Sequence, residues 1–202
     1  MSGNRALLSI PWCPIQQYLV LLAGVVLAGS PALAGTVVGN AACADRCADY
    51  VVYLEGTPGS YSGAGEVVEF GQKNKTFIPH VLALLEGSTL RIGNDDPFMH
   101  NVHARRDGET IFNLNVLFQY QTVDQVIAEA GVYRISCEPH PEMSAVIVAL
   151  DNPFFAQPDE AGRFEIADVP PGSHELVRLD AEKERRKTKR VRVGEGVSTL
   201  DF

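Results

Sequence analysis

The segment from Cys137 to Met143 brings three potential metal-binding side chains into one short loop. A thiol, an imidazole and a thioether follow one another at regular short intervals, at Cys137, His140 and Met143. Thiolate and thioether sulfur atoms are soft ligands and imidazole is of borderline softness, a mixture that suits copper in both oxidation states. Two histidines and one cysteine in a trigonal arrangement, with a weak axial methionine, form the ligand set of an electron-transfer copper site. The loop predicts such a site, which needs a second histidine from elsewhere in the chain.

The second imidazole is expected from His100, which follows a predicted strand and turn and could lie beside the loop at the end of a neighbouring strand. His103 is an alternative, which we expect on the ligand face of a strand but farther along. Met143 could instead fill a gap in the core, and Cys137 with His140 alone would also suit a cysteine nucleophile. Zinc would accept the cysteine and the histidine, but methionine is a poor zinc ligand. The methionine therefore favours copper.

The rest of the pattern predicts an all-β chain with almost no helix. Short β-branched or alternating runs recur, and turn signals such as Asp107-Gly108 and Ala130-Gly131 separate them. Several short strands at this spacing indicate a β-sandwich or barrel, and the Gly/Ser-rich stretch 56–65 is predicted to be a loop or linker. The predicted strands are 51–54, 67–70, 81–85, 89–92, 132–135, 145–150, 164–166, 175–179 and 191–193.

Residues 64–150 resemble the cupredoxins, and among them the amicyanin- and plastocyanin-like blue copper proteins. The amicyanin type shares the C-x-x-H-x-x-M loop, with a proline on each side of the histidine, and the His-Asn-Val-His segment at 100–103. The resemblance implies that Asn101 hydrogen-bonds across to the ligand loop and tunes the cysteine sulfur. Met99 departs from the family pattern, which usually has proline there. The resemblance further implies a Greek-key cupredoxin β-sandwich with one type 1 copper per chain, bound by His100, Cys137, His140 and Met143.

A smaller accessory β-sandwich is predicted beside the copper domain. Residues 151–202 resemble the carboxypeptidase-regulatory-like β-sandwich through the motifs Asp159–Phe164 and Val169–Gly172. In such domains the opening strands read like 35–38 and 51–54, so the copper domain is predicted to be inserted between the first and the later strands. The combination resembles cupredoxins of the "methylamine utilisation protein" type. The predicted divisions are a signal peptide at 1–34, N-terminal strands and a linker at 35–63, the copper-binding domain at 64–150 and the accessory domain at 151–202.

The N-terminal segment 1–34 has the pattern of a cleaved signal peptide. Arg5 gives a short positive region, residues 18–29 form an apolar run, and Ala32-Leu33-Ala34 offers small residues to a signal peptidase. The run is shorter than the roughly 20 apolar residues that a membrane-spanning helix needs. We therefore predict export to the periplasm, a mature chain that begins near Gly35, and no membrane span after cleavage.

The cysteines divide into a potential pair and a single thiol. Cys13 lies in the predicted signal, which leaves Cys43, Cys47 and Cys137. In an oxidising compartment an odd thiol pairs with another chain, stays reactive or is occupied by a ligand. Cys43 and Cys47 are close enough in sequence to form a disulfide, although spacing alone does not establish the geometry. Such a pairing leaves Cys137 as the odd thiol.

These features predict a periplasmic blue copper protein that carries single electrons between a donor protein and an acceptor protein and is not an enzyme. The alternative is a copper-binding module for copper delivery or tolerance, in which affinity and exchange matter more than redox chemistry. A net charge of −8 disfavours nucleic acid as a partner, and a monomer is expected.

Four further features carry expectations of their own. Between Pro139 and Pro141, the outer edge of His140 is expected to face solvent within an apolar rim that docks partners. The basic run 183–190 is predicted to be a solvated hairpin tip, with a docking patch for an acidic partner as the alternative. His80 is expected to be a partly buried strand residue, and His174 a solvated turn residue.

Overall fold

The computed structural model describes residues 34–44, 46–116 and 118–202. Within these residues the chain is all-β apart from a 3-10 turn at Cys47–Asp49, which confirms the predicted fold class. No helix of this part is long and apolar enough to cross a membrane. The predicted signal peptide lies outside the described residues except for Ala34.

The strands are β1 (Gly35–Asn40), β2 (Tyr50–Glu55), β3 (Val67–Lys73), β4 (Thr76–Ile78), β5 (Val81–Leu85), β6 (Thr89–Asn94), β7 (His100–Arg106), β8 (Glu109–Val116), β9 (Thr122–Val126), β10 (Gly131–Ser136), β11 (Ser144–Leu150), β12 (Phe155–Ala156), β13 (Arg163–Val169), β14 (Gly172–Asp180), β15 (Arg185–Val193) and β16 (Gly196–Thr199).

Strands β3 to β11 form a sandwich of two sheets, here called the central sandwich. One sheet has the order β5-β11-β10-β7-β8 and the other the order β4-β3-β6-β9. Because side chains alternate across a strand, β6 presents one apolar face with buried Leu90 and Ile92, whereas β5 and β11 are apolar on both faces. The shared core includes Phe70, Phe77, Leu84, Leu90, Ile92, Val102, Ile147, Cys137 and Met143.

The strands that flank this sandwich in the sequence form a second one, here called the accessory sandwich. Its sheets have the orders β13-β1-β16 and β12-β2-β14-β15. Strand β1 pairs antiparallel with β13 and parallel with β16, while β2 pairs antiparallel with β12 and β14. The central sandwich therefore lies, in the sequence, between strands that belong to one pair of sheets. The accessory core includes Val37, Val52, Leu54, Phe154, Phe164, Ile166, Leu176 and Val191.

A third apolar cluster joins the two sandwiches. It consists of Val51, Val81, Val146, Val148, Leu150, Leu179 and Ala181, which come from β2, β5, β11, β14 and the turn after β14. Polar contacts also link the two sandwiches. Arg134 Nη2 donates to Glu182 O at 2.7 Å and to Glu184 Oε1 at 2.8 Å. His80 Nε2 lies 2.6 Å from Glu182 Oε1. Non-directional apolar burial and directional polar bonds thus hold the two sandwiches together.

One prediction about an exposed segment is wrong and another is confirmed in part, and each has a structural reason. His174 lies in β14 and is buried, with Nε2 2.7 Å from Pro170 O, because the strand begins at Gly172. The basic run is solvent-exposed, as predicted, but only residues 183–184 lie in the turn of the β14–β15 hairpin, and the rest belongs to β15, the edge strand of its sheet. Lysines and arginines on an exposed edge oppose pairing with another chain, so a strand tolerates this composition there.

Other local predictions are confirmed. Cys43 and Cys47 form a disulfide with a Cα–Cα distance of 5.3 Å, and Cys137 is the free cysteine of the described residues. The stretch 56–65 contains no strand, and His80 is partly buried just before β5. The sequence pattern does not predict β7, β8 or β9, whose many polar residues obscure the alternation.

Candidate metal centre

The Cys137–Met143 loop lies at one end of the central sandwich. Cys137 directly follows β10 and Met143 directly precedes β11, so the loop connects two paired antiparallel strands. It is tightly wound, since the His140 N–H donates to Cys137 O at 3.3 Å and the Met143 N–H donates to His140 O at 2.9 Å. His100 is the first residue of β7, which pairs with β10. This pairing brings a distant histidine beside the loop.

His100, Cys137 and His140 converge on one point. The Nδ1 atoms of both histidines lie 3.7 Å from Cys137 Sγ, and they lie 3.1 Å from each other. His100 and Cys137 are almost fully buried, whereas His140 is partly exposed. All three donor atoms lie within 4.8 Å of one another, a spacing suited to a metal ion.

The size of this triangle fits a first-row metal ion. A point equidistant from three atoms separated by 3.1, 3.7 and 3.7 Å lies about 2.0 Å from each of them. Metal–nitrogen bonds of histidine ligands are about 2.0–2.1 Å and metal–thiolate bonds about 2.3 Å in zinc sites, which have similar dimensions. Two imidazoles and a thiolate are also the donor types of a trigonal copper site. The residues present therefore fit such an ion in both size and chemistry.

The carboxylate of Asp96 fixes the orientation of His100. Asp96 Oδ2 lies 2.8 Å from His100 Nε2, and both side chains are buried. Burial raises the pKa of Asp96, but hydrogen bonds from the Lys75 backbone, the His100 ring and the Asn74 backbone outweigh it, so the pKa is below its usual range. Because a carboxylate only accepts, Nε2 carries the proton and Nδ1 offers its lone pair toward Cys137. Sequence analysis does not identify Asp96, although an acidic residue four positions before a candidate ligand is a usable signal.

Met143 occupies the buried side of the loop. Its side chain is 1% exposed and belongs to the same core cluster as Cys137. The thioether is therefore shielded from water in the part of the core that also contains the thiol. This position suits core packing as well as metal binding, and a role as axial ligand is part of the proposal below.

The expectation for His103 is wrong. Residues 100, 102 and 104 alternate with 101 and 103 along β7, and Val102 and Ala104 belong to the core, so His103 points away from it. Its ring lies beside Glu138 and Thr110 instead, with Nδ1 2.9 Å from Glu138 Oε1. Asn101 lies on the same side, and its Oδ1 accepts the Glu138 N–H at 2.6 Å. The bond from Asn101 to the ligand loop is thus present.

Apolar side chains surround the exposed edge of His140. Pro139 and Pro141 are exposed on either side of it, and the Phe98 ring lies 5.4 Å from the His140 ring, centroid to centroid. Phe98 and Met99 are 38% and 48% exposed, so this segment adds apolar surface. The expected apolar rim is therefore present on this side of the loop.

The strand topology and the position of the loop are those that the resemblance implies. Two facing sheets enclose one core, the candidate thiol lies on the loop between the last two strands of the sandwich, and one histidine comes from the neighbouring strand. The central sandwich has a cupredoxin-like fold.

Comparison with known proteins gives partial structural likenesses. No protein-family model and no curated protein matches the chain. Among solved structures, a purple cupredoxin from Nitrosopumilus maritimus aligns with 24% identity and a TM-score of 0.36, over 42% of this chain and 99% of that one. Amicyanin from Paracoccus versutus aligns with 17% identity and a TM-score of 0.39, over 49% and 97%.

A copper-containing nitrite reductase from Thermus scotoductus is also similar in part. It aligns with 21% identity and a TM-score of 0.38 over 42% of this chain, which spans only 22% of the reductase. The likeness thus concerns a portion of a much larger enzyme.

Proposed function

We propose that this protein is a type 1 copper protein that carries single electrons, with His100, Cys137, His140 and Met143 as ligands. The observation that supports it is the convergence of two imidazole Nδ1 atoms on a buried thiol, at distances that fit a metal ion. Copper bound there would supply a one-electron couple between Cu(I) and Cu(II). The buried thioether of Met143 is proposed as the weak axial ligand.

The surrounding residues would keep this site rigid and dry. Asp96 fixes the His100 ring through Nε2, and β10 and β11 hold both ends of the ligand loop. The burial of Cys137 protects its sulfur from water and oxidants. A site whose donors are already in place needs little rearrangement when its charge changes, which favours rapid electron transfer over substrate chemistry. We therefore propose a carrier rather than an enzyme.

Electrons would enter and leave through His140. Its ring is the partly exposed member of the triad, and Phe98, Pro139 and Pro141 form an apolar rim beside it. Such a rim suits transient docking of a donor or acceptor protein, because apolar contact buries area without fixing charged pairs. We propose a monomeric periplasmic protein, exported by residues 1–34, that meets its partners on this face.

The visible spectrum of the copper-loaded protein tests the proposal. Oxidised protein is expected to absorb intensely through the copper–thiolate bond, to carry one copper per chain, and to bleach reversibly with one electron. A colourless protein that holds Cu(I) and exchanges it readily would instead favour copper delivery or tolerance. Protein without bound copper after loading would refute both functions. Mass spectrometry of the exported chain should find its N-terminus near Gly35.

A further inference from the structure

The residue that follows Cys137 is bound unusually firmly for an exposed loop residue. The Glu138 side chain is 57% exposed, yet both its backbone and its carboxylate contact other strands. Its N–H donates to Asn101 Oδ1 at 2.6 Å, and its Oε1 accepts from Asn113 Nδ2 at 3.1 Å. Asn101 Nδ2 in turn donates to Asn113 Oδ1 at 2.7 Å. The three residues form a closed ring of hydrogen bonds that spans β7, β8 and the ligand loop.

His103 adds a second tie to the same carboxylate. Its ring is nearly buried, with Nδ1 2.9 Å from Glu138 Oε1 and Nε2 2.7 Å from Thr110 Oγ1. A carboxylate accepts only, so Nδ1 donates to Glu138, and the Thr110 hydroxyl can donate to Nε2. Both ring nitrogens then have a partner, and the ring cannot turn without losing both bonds. The His103 ring is therefore fixed in orientation, and its bond to Glu138 holds the ligand loop against β7.

We propose that Glu138 is a positioning residue that fixes the direction of the Cys137 thiol. This proposal rests on the proposed copper function. The clamp consists of Glu138, Asn101, His103, Asn113 and Thr110. It fixes the peptide directly after Cys137, and through it the direction of Sγ toward the Nδ1 atoms of His100 and His140. Outer groups that orient a ligand typically alter metal affinity by about 10–100-fold when they are removed. The Asn101 bond is expected from the resemblance, and the bonds of the Glu138 carboxylate to His103 and Asn113 on the same side of β7 are the new element.

Glu142 provides a matched control within the same loop. Its side chain is 58% exposed, comparable to Glu138, and it lies near Lys75, with a long Nζ–Oε1 distance of 3.9 Å. Removal of either carboxylate changes the charge of the loop equally, but only Glu138 belongs to the clamp. Glu138→Gln is the conservative variant, since its amide oxygen can still accept from His103 and Asn113.

The experiment compares Glu138→Ala, Glu138→Gln and Glu142→Ala in the full exported chain. In copper-loaded protein, Glu138→Ala is expected to shift the copper–thiolate absorption band and to weaken copper retention by about 10–100-fold. Glu138→Gln and Glu142→Ala are expected to keep the wild-type position of the absorption band and to retain copper within about threefold of the wild-type protein. Equal effects of Glu138→Ala and Glu142→Ala, or of Glu138→Ala and Glu138→Gln, would overturn the clamp, because charge alone would then explain the result.

Hydrogen exchange of the copper-free protein tests the clamp without the metal. The backbone amide of residue 138 is expected to be protected from exchange in the wild-type protein and in Glu142→Ala. In Glu138→Ala it should exchange about tenfold faster, because loss of the carboxylate contacts loosens the hydrogen bond from this amide to Asn101. Equal exchange in all three proteins would refute the proposal. If the unchanged protein bound no copper, the proposed function would fail, while this measurement would still decide whether the clamp exists.

Discussion

The central and accessory sandwiches both enclose apolar cores, but they bury polar side chains in different ways. In the accessory sandwich Asn152 donates to Leu54 O, the His174 ring lies beside Pro170 O, and Asp180 accepts the Lys183 N–H. Each of these buried groups satisfies the backbone of a turn or strand end. Unpaired buried backbone groups are costly, so this is ordinary structural use of polar residues.

In the central sandwich most of the buried polar residues are concentrated at one end, and several of them bind other side chains there rather than backbone groups. Asn94, Asp96, His100, Asn101 and His103 are all buried within or beside the segment that leads into β7. Asp96 binds His100 through its ring, and His100 Nδ1 faces Cys137 and His140. Side chains that orient other side chains toward a common point indicate a site rather than a turn. The predictions below test whether this difference separates function from structure.

The largest effect is expected for Cys137→Ser. A serine hydroxyl cannot replace a thiolate in the copper bond, so the intense visible absorption should disappear while the β fold persists. The matched control is the double variant Cys43→Ser/Cys47→Ser, which removes a disulfide of the accessory region and should retain full absorption. Spectra of both copper-loaded proteins, with circular dichroism as a check on folding, decide the matter. Persistent absorption in Cys137→Ser would assign the thiolate elsewhere.

The next effect concerns Asp96 and Asp180, which are both buried. The Asp96 carboxylate accepts three hydrogen bonds, from the backbone of Asn74 and Lys75 and from the His100 ring. In Asp96→Asn an NH2 group that can only donate would face one or more of these N–H groups. The free energy of unfolding of the copper-free protein should therefore fall by about 1–3 kcal/mol. Copper affinity should also fall about 10–100-fold, because the His100 ring is no longer held. Asp180→Asn should weaken folding but leave copper affinity unchanged. Urea titrations measure the free energy of unfolding, and competition with a chelator measures the copper affinity. A loss of copper affinity in Asp180→Asn would contradict the proposed difference between the two sandwiches.

A smaller effect is expected at Met143. A long axial bond contributes little to metal retention but tunes the reduction potential. Met143→Gln should keep copper and colour and lower the potential, since an oxygen donor favours Cu(II), whereas Met143→Leu should raise it by removing axial donation. Met99→Leu is the control, because Met99 is 48% exposed and outside the loop. If voltammetry gave the same reduction potential for all these variants, Met143 would be a core-packing residue and the ligand set would consist of three residues.

The smallest effect is expected for Asp159 on the accessory surface. Hydrogen bonds from the side chain and backbone of Arg163 lower its pKa. A lowered pKa in the folded state gives stability that is present above the unfolded pKa of about 3.9 and is lost as the pH falls through the lower, folded value. Asp159→Asn should therefore be slightly less stable than the unchanged protein at neutral pH and equal to it in strong acid. Thermal unfolding of the copper-free proteins at both pH values checks this, and the copper spectrum of Asp159→Asn at neutral pH should match that of the wild-type protein.

Much of the fold follows from local patterns that the sequence displays. Strands such as β5 and β11 are continuous apolar runs, and turns with glycine separate them, so their position needs no knowledge of the partner strand. Strands β7 and β8 are different, because their residues are largely polar and their pairing is set by neighbours. The spacing of Cys137, His140 and Met143 is equally local, and this is why the donor types could be predicted.

The tertiary structure decided which side chains complete the site. Sequence analysis favoured His100 but placed His103 on the same face, and the alternation of β7 between its two sheet faces sends His100 to the thiol and His103 to Glu138. Asn113 and Thr110 gain their roles from the pairing of β8 with β7, which no local pattern encodes, whereas Asp96 lies only four residues before His100 and was within reach of a local pattern. The sequence by itself determined the candidate donor types and the short loop that carries three of them, because bond chemistry and turn geometry are local. The direction of each donor depends on packing, which is a property of the whole fold.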